Sequence, residues 1–260
     1  MDDIIVEKMG NIAQIIFNQP KKKNAITLEM WRTIGTIATR FSRDDEILAI
    51  IIRGAGDEAF SAGADISEFH SNRSSRTRTA EYNQTMINSL TALDNVNKPT
   101  IAMIQGYCIG GGMSLALHCD IRIADETSRF SIPAAKLGLA YHWEEVKLLT
   151  ETVGPAFAHE ILCTGRQFRA DEALQMRLVN RLRAKEEIIS YVMEYAYDIV
   201  KNAPLTLTAI KKMLQEVTKN PADQNIPLMN SLVDACFNSE DYQEGHQAFI
   251  QKRSPVFKGQ

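Results

Sequence analysis

The residues best suited to chemistry lie in two stretches rich in glycine and alanine. The first runs Thr100-Ile-Ala-Met-Ile-Gln-Gly-Tyr-Cys-Ile-Gly110-Gly111-Gly112-Met-Ser114-Leu-Ala-Leu-His-Cys-Asp120. Its apolar opening, Ile101 to Ile104, predicts a buried strand, and Met113 to His118 predicts a helix. Each glycine between them costs roughly 1 kcal/mol against alanine in a regular element. A strand, a tight turn and a helix start leave backbone N–H groups free to hold a phosphate or a developing oxyanion. A close strand–helix crossing would need the same small residues, and the stretch alone leaves both readings open. The second stretch is Ala59-Phe-Ser-Ala62-Gly-Ala64-Asp65-Ile66-Ser-Glu-Phe69, whose small side chains let a flat ligand approach the backbone.

The elements that must position these loops follow from periodicity. Strands are predicted at 4–7 and 12–17, joined by a hairpin at Met9-Gly-Asn11, then a polar turn with three lysines at 21–23. Thr27 is a predicted N-cap for a helix that carries Met30, Trp31, Ile34, Ile37, Ala38 and Phe41 at helical spacing. A strand follows at 47–52. Residues 70–79 are Ser/Arg-rich and read as a solvated loop, with His70, Arg73, Arg76 and Arg78 able to meet a substrate carboxylate. Further helices are expected at 80–94, 144–153, 156–162, 171–176, 186–201, 205–218 and 241–253, and strands at 120–124, 129–132 and 179–182. No strand signal follows residue 182. The chain therefore divides into an α/β core over residues 1–198 and a helical region over 199–260.

Composition narrows the function. Lys+Arg 29 against Asp+Glu 32 gives a net charge of −3, which does not point to a nucleic-acid partner. No apolar run is long enough to span a bilayer, and the start, Met-Asp-Asp-Ile, does not read as a signal peptide. Cysteines 108, 119, 163 and 236 lack metal-ligand spacing and are expected to be reduced core residues of a cytoplasmic protein.

Taken together, Ala62-Gly-Ala-Asp-Ile66 and Gly106-Tyr-Cys-Ile-Gly-Gly-Gly-Met-Ser-Leu115 resemble the crotonase (enoyl-CoA hydratase/isomerase) superfamily in order and spacing. Asn18-Gln-Pro-Lys21, Cys119-Asp-Ile-Arg-Ile-Ala124, Gly165-Arg-Gln-Phe168, Ala173-Leu-Gln-Met-Arg-Leu-Val-Asn180, Asn202-Ala-Pro-Leu205 and Lys252-Arg-Ser-Pro-Val-Phe257 extend the resemblance over nearly the whole chain. It implies an α/β (α+β) fold, a crotonase/ClpP-like spiral of β-β-α turns with C-terminal helices that form a homotrimer or homohexamer. It also implies an acyl-CoA substrate, with no cofactor beyond the CoA moiety, no metal and no membrane partner. The N–H groups of Ala64 and Gly111 would form the oxyanion hole for the thioester carbonyl. Ala62, Asp65 and Ile66 would line the adenine end of CoA. Lys22 and the turn before Ala25 would flank the pantetheine and phosphates, and Phe249 and Lys252 would close over the nucleotide.

The chain departs from that pattern where the chemistry is done. Hydratases of this superfamily carry two glutamates that activate a water. Ser114 stands at the first position and Ala134 at the second, so hydration by that route is not expected. Replacement acid/base groups lie in Gly138-Leu-Ala-Tyr141-His142-Trp-Glu144-Glu145. Tyr141 and His142 fall where other branches carry an active-site tyrosine and aspartate. Against this, Tyr141 would simply pack with its hydroxyl bonded and His142 would cap a helix. Glu144 and Glu145 read first as helix-start charges. His118 reads as a satisfied core histidine, and His159 and His246 as surface residues. Three functions remain open: an enolate-stabilising lyase or isomerase, decarboxylation included; a thioester hydrolase; and a non-catalytic acyl-CoA-binding protein.

Overall fold

The computed structural model describes residues 2–68 and 75–260. His70 and Arg73, singled out above, lie outside the described residues. Two sheets form the scaffold. In the larger, β1 (Ile4–Met9) and β2 (Ile12–Phe17) make the expected antiparallel hairpin, and β3 (Ala49–Gly54), β5 (Thr100–Ile104), β7 (Ile121–Asp125) and β10 (Arg181–Arg183) continue in parallel, in the order β1-β2-β3-β5-β7-β10. Every residue of β2 and β5 is buried, and parallel strands covered on both faces need such unbroken apolar runs.

The smaller sheet holds β4 (Ala59–Ser61), β6 (Tyr107–Ile109), β8 (Arg129–Ser131) and β9 (Phe168–Arg169) in that order. β4, β6 and β9 were not expected from the sequence, being two or three residues long and lying within or beside stretches read as loops. They matter for function, since β4 and β6 each lead directly into one of the two small-residue loops. Their parallel pairing sets those loops side by side.

Helix α1 (Leu28–Ser42) starts at Thr27, whose hydroxyl accepts from Met30 N, and it buries the six apolar residues expected of it. It packs on α2 (Arg76–Asp94), which begins earlier than expected because the Ser75 hydroxyl caps it, and Arg76 and Arg78 lie exposed in its first turn. Helix α3 (Gly111–Leu117) takes Gly111 and Gly112 into its first turn, so the glycines are not all outside regular structure as read above. Helix α4 (Trp143–Thr164) is two helical pieces joined at Gly154, where φ is +80°, which accounts for the two helices expected there. The short α5 (Ala170–Gln175) follows β9.

The C-terminal helices are α6 (Ile188–Val200), α7 (Pro204–Val217), α8 (Ile226–Phe237) and α9 (Glu240–Gln251). Ile188, Val192 and Ala196 of α6 cover the outer face of the larger sheet through Ile12, Ile51, Ile101, Met103 and Ile123, and the expected boundary at 198 falls inside this helix. Helix α7 is tied to the core by buried Lys211, whose Nζ lies 2.8 Å from Asp120 Oδ2, and by Gln215 Nε2, which donates to Asp94 O at 2.6 Å. Helix α8 was not foreseen. It buries none of its residues within the chain, so its apolar face has no partner pattern to match.

The cysteine reading needs correction as well. Cys108 and Cys119 are buried and their thiols are pushed up by burial, Cys119 to about 12, whereas Cys163 is exposed and Cys236 half-buried.

Packing of the glycine turn is tight enough to test. A Cβ on Gly112 would lie 2.7 Å from both Ser61 Cβ and Ser61 O, closer than real contacts allow. Overpacking of this kind typically costs about 1–3 kcal/mol. Gly112→Ala is therefore expected to lower the unfolding free energy by about 2 kcal/mol in urea denaturation, on the scale of such overpacking.

Candidate active site

The site begins where the two small-residue loops meet. Gly110 turns the chain with φ +53° and ψ −116°, a conformation suited to glycine, and hands it from β6 to α3. Across from it, Ile26 forms a parallel bridge with Ala64: Ile26 N donates to Gly63 O at 2.8 Å and Asp65 N donates to Ile26 O at 3.0 Å. Both bonds use the residues flanking Ala64, which leaves Ala64's own N–H turned away from Ile26.

The space beside that N–H is occupied by Gly111. A Cβ on Gly111 would sit 3.7 Å from Ala64 N and 3.3 Å from Trp31 Cζ2, and a Cβ on Gly63 would sit 3.3 Å from Gly111 N. Trp31 is fully buried and its Nε1 donates to Tyr82 Oη at 3.1 Å, so it braces Gly111 rigidly. Gly111 is the first residue of α3, where an N–H has no partner within the helix. Two backbone donors therefore stand together, as an oxyanion hole requires.

One helical turn beyond Gly111, Ser114 is buried and its Oγ lies 3.4 Å from Tyr141 Oη. Burial pushes the Tyr141 phenol up to about 12, against the hydrogen bond from Ser114 and with the nearby Glu145 charge. Tyr141 is thus a phenol, not a phenolate, at neutral pH, and either hydroxyl of the Ser114–Tyr141 pair can donate to the other. Ala134, at the second glutamate position, is buried within a short 3-10 turn. His142 stands at the N-cap of α4, half-buried, and its side chain makes no capping bond.

Glu144 is exposed and fits the reading of a helix-start charge. Glu145 does not. It is buried, its Oε1 lies 2.9 Å from His118 Nε2, and its Oε2 has no hydrogen-bond partner among the described residues. His118 Nδ1 in turn lies 2.7 Å from Asp94 Oδ1. Burial opposes the charge on His118, but the bonds to Asp94 and Glu145 outweigh it and raise the imidazole to about 9. Burial likewise opposes the charge on Glu145, and His118, with a smaller contribution from the Ser114 hydroxyl, still holds the carboxyl below its ordinary value. The pair is an imidazolium and a carboxylate.

His118 was read correctly as a satisfied core histidine, yet its partners were not foreseen. Asp94 and Glu145 lie 24 and 27 residues away in sequence, a separation at which no periodicity signals contact.

The expected CoA-facing residues separate into two groups. Lys22 Nζ lies 2.7 Å from Asp65 Oδ2, while Asp65 Oδ1 accepts from Ser67 N and Oγ, so the Asp65 carboxylate staples its own loop. Burial opposes that charge too, but Lys22 and Ser67 hold the carboxyl low. Ala25 is buried, Ala62 half-buried, and Ile66 exposed at the edge of the hole. Phe249 is 85% exposed on α9, with Lys252 ending that helix in a left-handed turn. A ring that exposed packs against little of its own chain. His159 and His246 are exposed, as expected.

With this geometry in view, the relatives of the chain become informative. Residues 7–260 match the model of the enoyl-CoA hydratase/isomerase family. The chain belongs to that family. It is 32% identical to the short-chain-enoyl-CoA hydratase of Clostridium acetobutylicum over 253 residues, covering 97% of this chain and 96% of the other. It is also 32% identical to the carnitinyl-CoA dehydratase of Escherichia coli O157:H7 over 262 residues, 99% of each chain. A solved enoyl-CoA hydratase/carnithine racemase from Magnetospirillum magneticum superposes with a TM-score of 0.94 at 35% identity, covering 100% of this chain and 97% of that one. The crotonase fold expected from the two loops is therefore present. Among the described residues, no group of ligating side chains could hold a metal ion, and no helix is long and apolar enough to cross a membrane.

The buried pair implies a pH signature in stability. His118 titrates near 9 when folded and near 6.5 when unfolded, so its stabilisation is complete below 6.5 and is lost as pH rises through about 9. Glu145, held below its ordinary 4.5, contributes fully above that value and loses its contribution progressively as pH falls below it. His118→Gln leaves Glu145 buried without its cation, a change that typically costs about 3–5 kcal/mol. Urea denaturation across pH should show that loss at neutral pH and no alkaline fall near 9 in the variant.

Proposed function

We propose that this protein is an acyl-CoA lyase that forms a thioester enolate in the hole between Ala64 and Gly111 and quenches it with the Tyr141 phenol. The observation that carries the reading is Ser114, one helical turn beyond Gly111, with the Tyr141 hydroxyl 3.4 Å from its Oγ and no carboxylate at 114 or 134. The names of the related hydratase and dehydratase support a CoA thioester as substrate.

A site with a strong donor pair and a protonated phenol suits a reaction that generates its own enolate. Decarboxylation of a 2-carboxyacyl-CoA is such a reaction. The bond between C2 and the carboxylate breaks, its electron pair moves into the thioester, and carbon dioxide leaves. Negative charge develops on the thioester oxygen, where two fixed N–H groups stabilise it. One such donor is worth about 2.7–4 kcal/mol in comparable sites. Tyr141 then gives its proton to C2. His142 is the weaker choice of donor, because the Tyr141 hydroxyl is the one beside Ser114.

The substrate's CoA moiety would lie along Lys22, Ala25, Ala62, Asp65 and Ile66, and the chemistry calls for no cofactor beyond it. Exposed Ile210, Leu214 and Val217 on α7, with Val233 and Phe237 on α8, support assembly into a homotrimer or homohexamer.

Malonyl-CoA, methylmalonyl-CoA and crotonyl-CoA test the reading when products are followed by mass. The expected result is carbon dioxide loss from a carboxylated substrate, with crotonyl-CoA hydrated no faster than background. Tyr141→Phe should slow decarboxylation by about 10²-fold or more, the usual worth of a positioned acid. Rapid crotonyl-CoA hydration that Ser114→Ala abolishes would contradict the proposal.

A further inference from the structure

Both donor residues of the proposed hole are held from one short segment of chain. At its start, Ile26 bridges the Ala64 loop, and Leu28 N donates to Glu68 Oε2 at 2.9 Å, which ties α1 to the far end of that loop. At its end, Trp31 Cζ2 stands 3.3 Å from the point where a Cβ on Gly111 would lie. The segment from Ile26 to Trp31 thus meets Ala64 at one end and Gly111 at the other. Its placement sets the spacing between them.

Three consecutive glycines have no side chains with which to fix their own peptide planes. Their neighbours must supply the walls. At Gly112 the wall is Ser61, and at Gly110 nothing would lie within 4 Å of an added Cβ. At Gly111 it is the edge of the Trp31 indole, supplied by a different helix. The direction of the Gly111 N–H therefore depends on where that indole is held.

Trp31 is held by more than packing. It is fully buried, its Nε1 donates to Tyr82 Oη at 3.1 Å, and its carbonyl oxygen accepts from Ser89 Oγ. Tyr82 and Ser89 are both buried on α2, about two helical turns apart. A leucine or phenylalanine at position 31 would fill apolar space with no polar anchor, whereas the indole N–H fixes the orientation of its ring through Tyr82. Gly35, one turn further along α1, lets Ser89 come close: a Cβ there would lie 3.1 Å from Ser89 Oγ. Helix α2 thus clamps Trp31 through both its ring and its backbone.

We infer that Trp31, oriented by Tyr82, is a positioning residue that sets the Gly111 amide against the Ala64 amide and so governs how strongly the hole polarises a thioester carbonyl. This role rests on the oxyanion hole proposed above and is independent of the Tyr141 step. Trp31 is enclosed by the core and acts through Gly111. Donors stabilise developing charge only while they stay aimed at it, and a misplacement of about 1 Å can cost about 10²-fold in rate. Trp31→Phe removes both the Cζ2 edge and the N–H, whereas Tyr82→Phe removes only a hydroxyl.

The test reads the hole without turnover. Butyryl-CoA carrying 13C at its thioester carbonyl is bound to the full chain, its carbonyl band is followed by difference infrared spectroscopy, and its Kd is measured by calorimetry. In the unmodified protein the band should fall below its aqueous frequency. Trp31→Phe should give back most of that fall while Kd changes less than about fivefold, the net worth of one hydrogen bond. Tyr82→Phe should give back a smaller part. Adding it to Trp31→Phe should change nothing further, because the bond it removes is already gone. If the band falls equally in the unmodified, Trp31→Phe and Tyr82→Phe proteins, the positioning role is overturned and the hole stands. If Trp31→Phe does not fold, Tyr82→Phe decides alone, and an unmoved band there overturns the role. If the band of the unmodified protein does not fall, the hole itself is refuted and the role of Trp31 with it.

Discussion

Everything in this site depends on the contact between two backbone segments, Gly63-Ala64 and Gly110–Gly112. Their approach is closer than any side chain larger than hydrogen would permit at Gly112, where Ser61 fills the space, and Trp31 closes the third side of Gly111. The parallel pairing of β4 with β6 brings the segments together, and the Ile26–Ala64 bridge fixes the direction of one of the two amides. Because these are backbone groups in a packed core, they cannot reorient when charge develops. That fixed geometry is the physical basis of oxyanion stabilisation.

The buried charges beside Ser114 follow a different logic from the two loops. In the two-glutamate pattern, one carboxylate sits on the helix after the glycines. Here that position holds Ser114, and a buried carboxylate, Glu145, comes from the first turn of α4. Burying it is tolerated because His118 supplies a cation at 2.9 Å and Asp94 in turn supports the cation. Alone, either charge would be expelled or neutralised; as a series they hold one another. The C-terminal region supports the arrangement, since Gln215 of α7 holds the Asp94 backbone and Lys211 holds Asp120 two residues after His118.

The juxtaposition of the two small-residue loops was legible in the sequence because each is made of consecutive residues whose small size is itself the signal. The same holds for α1, whose cap and apolar face lie in one local stretch. Glu145 was not legible. A glutamate in a first helical turn usually answers the helix dipole, and only the fold reveals that this one points inward to a histidine 27 residues before it. Helix α8 was missed for a related reason: none of its residues is buried in this chain, so its apolar residues follow no periodicity set by this core. The expectation that Phe249 covers a nucleotide came from resemblance, and in this chain its ring stands exposed on α9. Residues that act within one local stretch can be read from order and spacing, whereas charges paired across the fold cannot.

The most direct test of the central claim is the carbonyl stretch of a bound acyl-CoA carrying 13C at its thioester carbonyl, measured by difference infrared spectroscopy. If the Ala64 and Gly111 amides donate to that oxygen, the band moves to lower frequency on binding than it shows in water, because fixed donors polarise the carbonyl more than mobile solvent does. A bound band at or above the aqueous frequency would contradict the account.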